Sequence, residues 1–444
     1  MHPVVAMRQL SAREKEIVGI LSKAGKGMSQ VAIRAKLADP HSQAMMSRIV
    51  SKLVDYGIIR KTGETRGAEF ALTREASWFS IEPRLRPPVK YDPARIGGYV
   101  PNETKWLPAQ ILERFESAAA GVMHQLDAST YSRQIAERFL IDLAWASSNL
   151  EGNTYNYLDT EVLVQYGEKA VGHELIEATM ILNHKHALTE LLANVDRPQW
   201  DVRFASRLHA MLMRDLISPE DLGRIRAHDV KIGASSYRPS TSHSELAEGL
   251  GSLLWKAEQT TNPFEASFFL MTGFSYLQAF ADGNKRMGRV MSNVPLLAQG
   301  KPPMSFIGID RANYLSGLIA FYEIGDLSLL AETVAAAYEQ AAPSYTAAVA
   351  TQRVPRSIDL RERQRIEEEI RHLIVERVDP KDAEPSIRNR FGDLAEVDQA
   401  AIVESITAIL PKITPENAAA WGVGSEDAEA YRSHLVHRAM APPG

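Results

Sequence analysis

The turn Asp282-Gly283-Asn284 lies between two helical patterns, and the helix that follows carries Arg286 and Arg289 three residues apart. Residues at that spacing share a helix face. The backbone N–H groups of a tight turn, a helix N-terminus and two guanidinium forks together make a strong site for phosphate. Spacing alone leaves a plainer alternative, because two arginines three apart are more often a solvated face. Just upstream stands Gln278. Its amide can hydrogen-bond a phosphate or a hydroxyl but is neither a base nor an acid near pH 7.

A second constellation lies earlier, in Ser147-Ser-Asn-Leu-Glu151-Gly152-Asn153. The spacing of four puts Ser147 and Glu151 on one helix face, which is also what an ordinary surface helix would show. The pairs Asn183-His184 and Leu208-His209 fall between the two constellations.

The stretch Phe274 to Arg289 resembles the signature of the Fic (filamentation-induced-by-cAMP) family, His-x-Phe-x-Asp/Glu-Gly-Asn-Gly/Lys-Arg-x-x-Arg. It matches at Phe280, Asp282, Gly283, Asn284, Lys285, Arg286 and Arg289. The segment Ser147 to Asn153 is similar to that family's autoinhibitory motif, Ser/Thr-x-x-x-Glu-Gly/Asn, and the likeness as a whole runs from about Ala136 to Tyr345. The resemblance implies ATP and Mg2+ as ligands. Asp282 would hold the metal, Gly283 and Asn284 would line an anion hole, and Arg286 and Arg289 would clamp the outer phosphates. Lys285 stands where many relatives have glycine and where the phosphorylating Doc toxins share a lysine. Glu151, with Ser147 and Gly152, would be inhibitory, pairing with Arg289 and blocking the γ-phosphate. Arg226 to Ser242 fits the family's flap, a hairpin that holds a protein target by strand addition, with Val230 and Ile232 alternating with polar residues. An ordinary surface loop is the other reading.

One position departs from the family. The catalytic histidine, whose pKa near neutrality lets it take a hydroxyl proton, is replaced by Gln278. Loss of a general base is typically worth ~10²–10⁴ in rate. Three explanations compete: the pocket senses a nucleotide without turning it over, another group such as His228 or His209 acts as base, or the residue is an engineered knockout. The first is preferred. The expected function is a nucleotide-responsive DNA-binding regulator with a degenerate catalytic motif. The alternative is an active adenylyl- or phosphotransferase that modifies a protein hydroxyl and is autoinhibited by Glu151.

The elements around these motifs read as mainly α. The 444 residues, 45% hydrophobic and 24% charged, allow roughly three domains with real cores. The absence of cysteine excludes disulfides, thiolate metal sites and cysteine nucleophiles, and it fits a cytoplasmic protein. No apolar run approaches the ~18 residues of a membrane helix. The net charge of −5 conceals an asymmetry: residues 1–80 hold 13 Lys+Arg against 7 Asp+Glu, leaving a basic start on an acidic body. That pattern suggests a polyanionic partner.

Residues 1–80 read as three helices and a strand pair. Ser11 and Ser29 are caps for the first two, and the third spans about Ser42 to Tyr56 with Met45, Ile49 and Leu53 facing inward. Two strand-like runs then flank the turn-rich stretch from Thr62 to Gly67. This layout resembles a winged helix-turn-helix, whose third helix enters the major groove. The resemblance implies double-stranded DNA as partner. The third helix would present Gln43, Ser47, Arg48 and Lys52 (with His41, Ser42 and Ser51), and the wing would present Arg60, Lys61 and Arg66. A protein-contact role is the other reading. The Pro-rich stretch 81–105 is expected to be a linker or wrapping segment. A Fic-type helical core with a short flap hairpin follows at 106–350, then a helical extension at 351–444. A homo-oligomer is the expected assembly.

Overall fold

The structure is a computed structural model that describes residues 2–39, 42–64, 67–120, 128–194, 200–351, 362–415, 418 and 423–440. The chain is mainly helical and divides into two compact units, Met1–Thr351 and Gln352–Gly444.

The first unit begins with α1 (Pro3–Arg8) and α2 (Ala12–Ala24), the latter opened by a reciprocal capping box between Ser11 and Glu14. Then come β1 (Met28–Ser29), α3 (Gln30–Arg34) under a Ser29 cap, α4 (Gln43–Asp55), β2 (Ile59–Thr62), β3 (Glu69–Leu72) and α5 (Arg74–Phe79). The strands form an antiparallel sheet in the order β1-β3-β2, with Ile59 opposite Leu72 and Met28 opposite Phe70. The strand β1 is too short to show a period in the sequence. The inward stripe of α4 is Met46, Val50 and Leu53, and Met45 is 39% exposed. The expected stripe of Met45, Ile49 and Leu53 is therefore shifted by one residue at two of its positions. The 46/50/53 set is spaced i, i+4, i+7, against i, i+4, i+8 for the expected one, and it packs with Ile59 and Phe70 of the sheet. Arg66 and His41 lie outside the described residues.

The stretch 81–105 is not a free linker. It contains β4 (Val89–Lys90) and α6 (Ala94–Gly97), and it sends Ile96 and Tyr99 into the central core at 1% exposure each. Its prolines prevent a long helix, but the residues between them are apolar enough to bury, so the segment wraps the core. Helices α7 (Ala109–Ala120), α8 (Ala128–Leu150), α9 (Tyr157–Tyr166), α10 (Leu175–Ala193) and α11 (Val202–Met213) follow. Next come β5 (Tyr237–Arg238), α12 (His243–Gln259), α13 (Pro263–Leu277), α14 (Asn284–Met291), α15 (Asn293–Ala298), α16 (Arg311–Ile324) and α17 (Ser328–Thr351). Every residue of α13 is buried, as expected of a helix that is apolar on all sides. A Cβ at Gly288 would sit 2.6 Å from the Met271 carbonyl oxygen, so α14 crosses α13 backbone against backbone. That close crossing fixes where Arg286 and Arg289 point.

The segment 226–242 is not a hairpin. Its strand residues, Tyr237–Arg238, pair in parallel with Val89–Lys90 of the wrapping segment. The alternation at Val230 and Ile232 finds no partner strand, because the ends of the segment are held by the Arg226 side chain. Its Nη1 donates to the His228 carbonyl and its Nη2 to the Ser240 carbonyl.

The second unit packs α18 (Arg363–Val375), α19 (Glu384–Arg390), α20 (Glu396–Ile409) and α21 (Ser425–Met440) around Ile370, Leu373, Phe391, Ile406 and Tyr431. Among the described residues, no helix is long and apolar enough to cross a membrane.

Candidate functional site

Helix α13 ends at Gln278, which adopts the left-handed conformation (φ 51°, ψ 46°) while its N–H still reaches the Phe274 carbonyl. A non-glycine residue there costs about 1–2 kcal/mol. The side-chain amide offsets this locally: Nε2 donates to the Ser275 carbonyl at 2.7 Å, and Oε1 accepts from Asn284 Nδ2 at 3.2 Å. Asn284 in turn closes the loop on itself, its Oδ1 accepting from Phe280 N (2.9 Å) and its Nδ2 donating to Phe280 O (2.8 Å). The Asn284 side chain is therefore a brace, and what α14's first turn has left to offer a ligand is its backbone N–H groups, which no helix satisfies internally.

Two further residues hold this loop. His209 donates from Nε2 to the Asp282 carbonyl (3.0 Å), accepts the Gly223 N–H at Nδ1 (3.0 Å) and stacks on Phe280 with ring centroids 4.0 Å apart. Those partners fix the neutral tautomer, and burial pushes its pKa down to about 4, aided by the Arg286 charge. Arg226, 2% exposed, donates from Nε to the Gln278 carbonyl at 2.7 Å. Gly283 takes φ 76°, and a Cβ there would lie 2.5 Å from Met213 Sδ. Glycine is required at that position both by conformation and by space.

The cations sit on the buried face of α14. Arg286 is 5% exposed and pairs through Nη2 with Asp282 Oδ2 at 3.0 Å, whereas its Nε and Nη1 are buried with no hydrogen-bond partner. Asp282 is two-thirds exposed at its side chain and also accepts the Gly283 N–H. Arg289 is fully buried. It donates from Nε to Ser147 Oγ (2.8 Å) and from Nη2 to Glu151 Oε1 (2.7 Å), leaving Nη1 without a partner. Lys285 Nζ approaches Glu151 Oε2 at 3.2 Å. Burial would raise the Glu151 pKa, but the charges of Arg289 and Lys285 and the hydrogen bond from Arg289 outweigh it and hold the carboxyl down to about 2.

Behind Ser147 lies His184, fully buried. Its Nδ1 donates to the Met180 carbonyl (2.8 Å), so its Nε2 accepts the Ser147 hydroxyl (2.8 Å). Burial pushes this imidazole down to about 3. A directed chain results, in which His184 orients Ser147, Ser147 accepts from Arg289, and Arg289 holds Glu151.

The arrangement is a cationic, partly unsatisfied cradle above a helix N-terminus, with a carboxylate already seated in it. Residues 199–296 match the profile described as the Fic/DOC family. They form a Fic/DOC family domain. The curated protein adenylyltransferase fic-1 of Caenorhabditis elegans is 23% identical over 232 residues, which cover 51% of this chain and 45% of that protein. The chain thus spans under half the length of this relative. Among solved structures, a Fic-1 fragment from C. elegans aligns over 55% of this chain and 72% of its own, at TM-score 0.46 and 20% identity. A Fic family protein from Desulfovibrio desulfuricans aligns over 62% of this chain and 81% of its own, at TM-score 0.45 and 20% identity.

The Fic domain's matched region contains Gln278, Asp282, Gly283, Asn284, Lys285, Arg286 and Arg289; Ser147 and Glu151 reach the same point from outside it. Gly152, at φ 100°, is part of the turn that ends α8. Two expectations are corrected. His209 cannot serve as a substitute base, because both of its nitrogens are committed to the loop. The Asn284 side chain does not line an anion hole, being turned inward onto Phe280 and Gln278. His228 is exposed, with its carbonyl tied to Arg226. Residues that sequence reasoning did not assign are Arg226 and the Ser147–His184 bond. His184 drew notice only as half of the Asn183-His184 pair.

On α4, Gln43, Ser47, Arg48 and Lys52 are exposed, as are Arg60 and Lys61 on β2. Lys52 already pairs with Glu14 at 2.6 Å.

Proposed function

We propose that this protein is a nucleotide-responsive DNA-binding regulator. Its Fic domain holds ATP with Mg2+, and residues 1–80 bind duplex DNA as a winged helix. The observation that carries the nucleotide half is the pair of buried, unpartnered guanidinium nitrogens Nε and Nη1 of Arg286. Each buried donor left unsatisfied costs about 1–3 kcal/mol, a deficit that phosphate oxygens would remove. The donor set suits the metal too, since the exposed Asp282 supplies the single carboxylate that Mg2+ takes beside nucleotide phosphates. When bound, Mg2+ neutralises phosphate charge; Arg286 and Arg289 orient the phosphate chain, and the first turn of α14 receives it.

Glu151 competes for Arg289 and acts as the resident inhibitor of that seating. Gln278 offers no proton acceptor, and its amide is engaged on both sides by Ser275 and Asn284, so the domain binds without efficient turnover. For the N-terminal part, the exposed Gln43, Ser47 and Arg48 of one helix beside Arg60 and Lys61 of the hairpin match groove-and-backbone recognition. The second reading, a protein adenylyl- or phosphotransferase, draws on the name of the C. elegans relative, a protein adenylyltransferase. It requires another base to stand in for Gln278.

The test is isothermal calorimetry of ATP-Mg2+ with wild type and Arg286→Ala. Losing charge-assisted contacts worth about 1.5–3 kcal/mol should weaken binding about tenfold to a hundredfold. Equal affinity in the two proteins would remove the assignment.

A further inference from the structure

Glu323, near the C-terminal end of α16, has a side chain only 2% exposed and four donors. Oε2 accepts from Trp78 Nε1 (2.5 Å) and from Arg86 Nη1 (3.3 Å). Oε1 accepts from Ser235 Oγ (2.7 Å) and from the Ser236 N–H (2.8 Å). Those donors come from three separate parts of the chain: the helix α5 that closes the N-terminal 80 residues, the wrapping segment, and the loop 228–236 beside the Fic site. The Arg86 guanidinium also lies over the Trp78 ring, 4.2 Å from its centroid.

The rest of α16 strengthens the pattern. Arg8 donates to Asn313, to the Ala312 carbonyl (3.1 Å) and to Ser316 Oγ (2.6 Å), and Arg74 donates to the Ile324 carbonyl (2.6 Å). Val4 and Trp78 form an apolar cluster with Ala320 and Leu329. At the other end of the same helix, Arg311 Nε donates to the Leu150 carbonyl at 3.0 Å, at the C-terminus of α8 and next to Glu151. One helix therefore receives the N-terminal domain along its length, holds the site loop at one end and touches the Glu151 turn at the other.

We propose that Glu323 couples the N-terminal domain to the loop 228–238, so that whatever shifts α5 alters the order of that loop, and the reverse. The physical basis is a buried carboxylate whose two oxygens serve different segments. Withdrawing donors from one oxygen leaves it desolvated and unpaired, so the carboxylate shifts or draws in water, and the bonds on the other oxygen loosen with it. This rests on the reading above only for the nature of the ligand that would move α5. The coupling itself is read from contacts within one compact unit.

Hydrogen–deuterium exchange on the full chain tests it. Trp78→Phe keeps an aromatic ring, though a smaller one, and removes one donor; Arg84→Ala, an exposed neighbour whose side chain bonds Glu82 alone among the described residues, is the control. Trp78→Phe should speed amide exchange in residues 229–238 by at least about tenfold, with Arg84→Ala unchanged. The reverse arm, Ser235→Ala, should speed exchange in residues 74–79, and it stands by itself if Trp78→Phe does not fold. Unchanged exchange at the distant segment, in a variant that still melts cooperatively, would overturn the coupling. Neither arm uses DNA, so a failure to bind duplex would count against the winged-helix reading alone.

Discussion

Glu151 and Arg289 are joined across 138 residues of chain by a 2.7 Å charge-assisted hydrogen bond, with Lys285 closing on the second carboxylate oxygen at 3.2 Å. The same guanidinium keeps one buried nitrogen without a partner. Arg289 is thus occupied but not saturated.

Glu151→Gln should weaken the fold and strengthen the ligand together. Removing one partner of a buried ion pair destabilises by about 3–5 kcal/mol, so the melting temperature of the free variant should drop. ATP-Mg2+ should then bind at least several-fold more tightly and recover part of the lost stability by mass action. Calorimetry and thermal melts with and without nucleotide check both halves.

The pH dependence has two limbs. Glu151 titrates near 2 in the fold against an ordinary 4.5, so its stabilisation, on the order of 3 kcal/mol, is present above pH 4.5 and is lost as pH falls toward 2. His184 and His209 stay neutral in the fold down to about 3 and about 4, against an ordinary 6.5. The unfolded chain takes up those protons first, so stability falls as pH drops below 6.5, by up to about 1.4 kcal/mol per pH unit for each. Nitrogen-15 spectra of the imidazoles should show both still neutral at pH 5, and protonation of either at pH 6 would contradict the buried geometry.

Gly283→Ala should lower stability by more than the about 1–2 kcal/mol that the left-handed backbone alone demands, because the new Cβ would meet Met213 Sδ at 2.5 Å. It should also weaken ATP, since the turn sets where α14 begins. Denaturant unfolding and calorimetry read the two effects.

Much of this site was readable locally. Asp-Gly-Asn followed by two arginines encodes a turn, a helix start and a shared cationic face within eight residues, and each signal depends on neighbours in sequence. The serine caps of α2 and α3 were legible for the same reason. What escaped was set by tertiary partners. Val230 and Ile232 alternate like strand residues, yet Arg226 and the parallel β4 take the hydrogen bonds that a hairpin would need. The stripe of α4 slipped by one because Met45 and Met46, and Ile49 and Val50, are equally apolar, so only the packed sheet decides between them. Glu323 resembles an ordinary polar position on a helix, and the donors that bury it lie 87 to 245 residues away.

If residues 1–80 bind DNA, the basic residues should differ in weight. Arg48→Ala should reduce duplex affinity more than Lys52→Ala, because Lys52 is already held by Glu14 at 2.6 Å. The slope of log affinity against log salt should fall by about one for Arg48→Ala. Fluorescence anisotropy across a salt series distinguishes the two, and equal losses would place Lys52 in the interface as well.

Gln278 caps α13 and braces Asn284, and its amide is no proton acceptor. The most direct measurement is transfer of label from α- and γ-labelled ATP, with Mg2+, onto the protein itself and onto cell-extract proteins. Wild type is compared with Gln278→His and with Gln278→His/Glu151→Gly. Wild type should give no transfer above background, and the double variant should give the most, since an imidazole restores the base while the cations remain in place. Robust transfer by the wild-type protein would contradict the account and make the domain an enzyme with a different base.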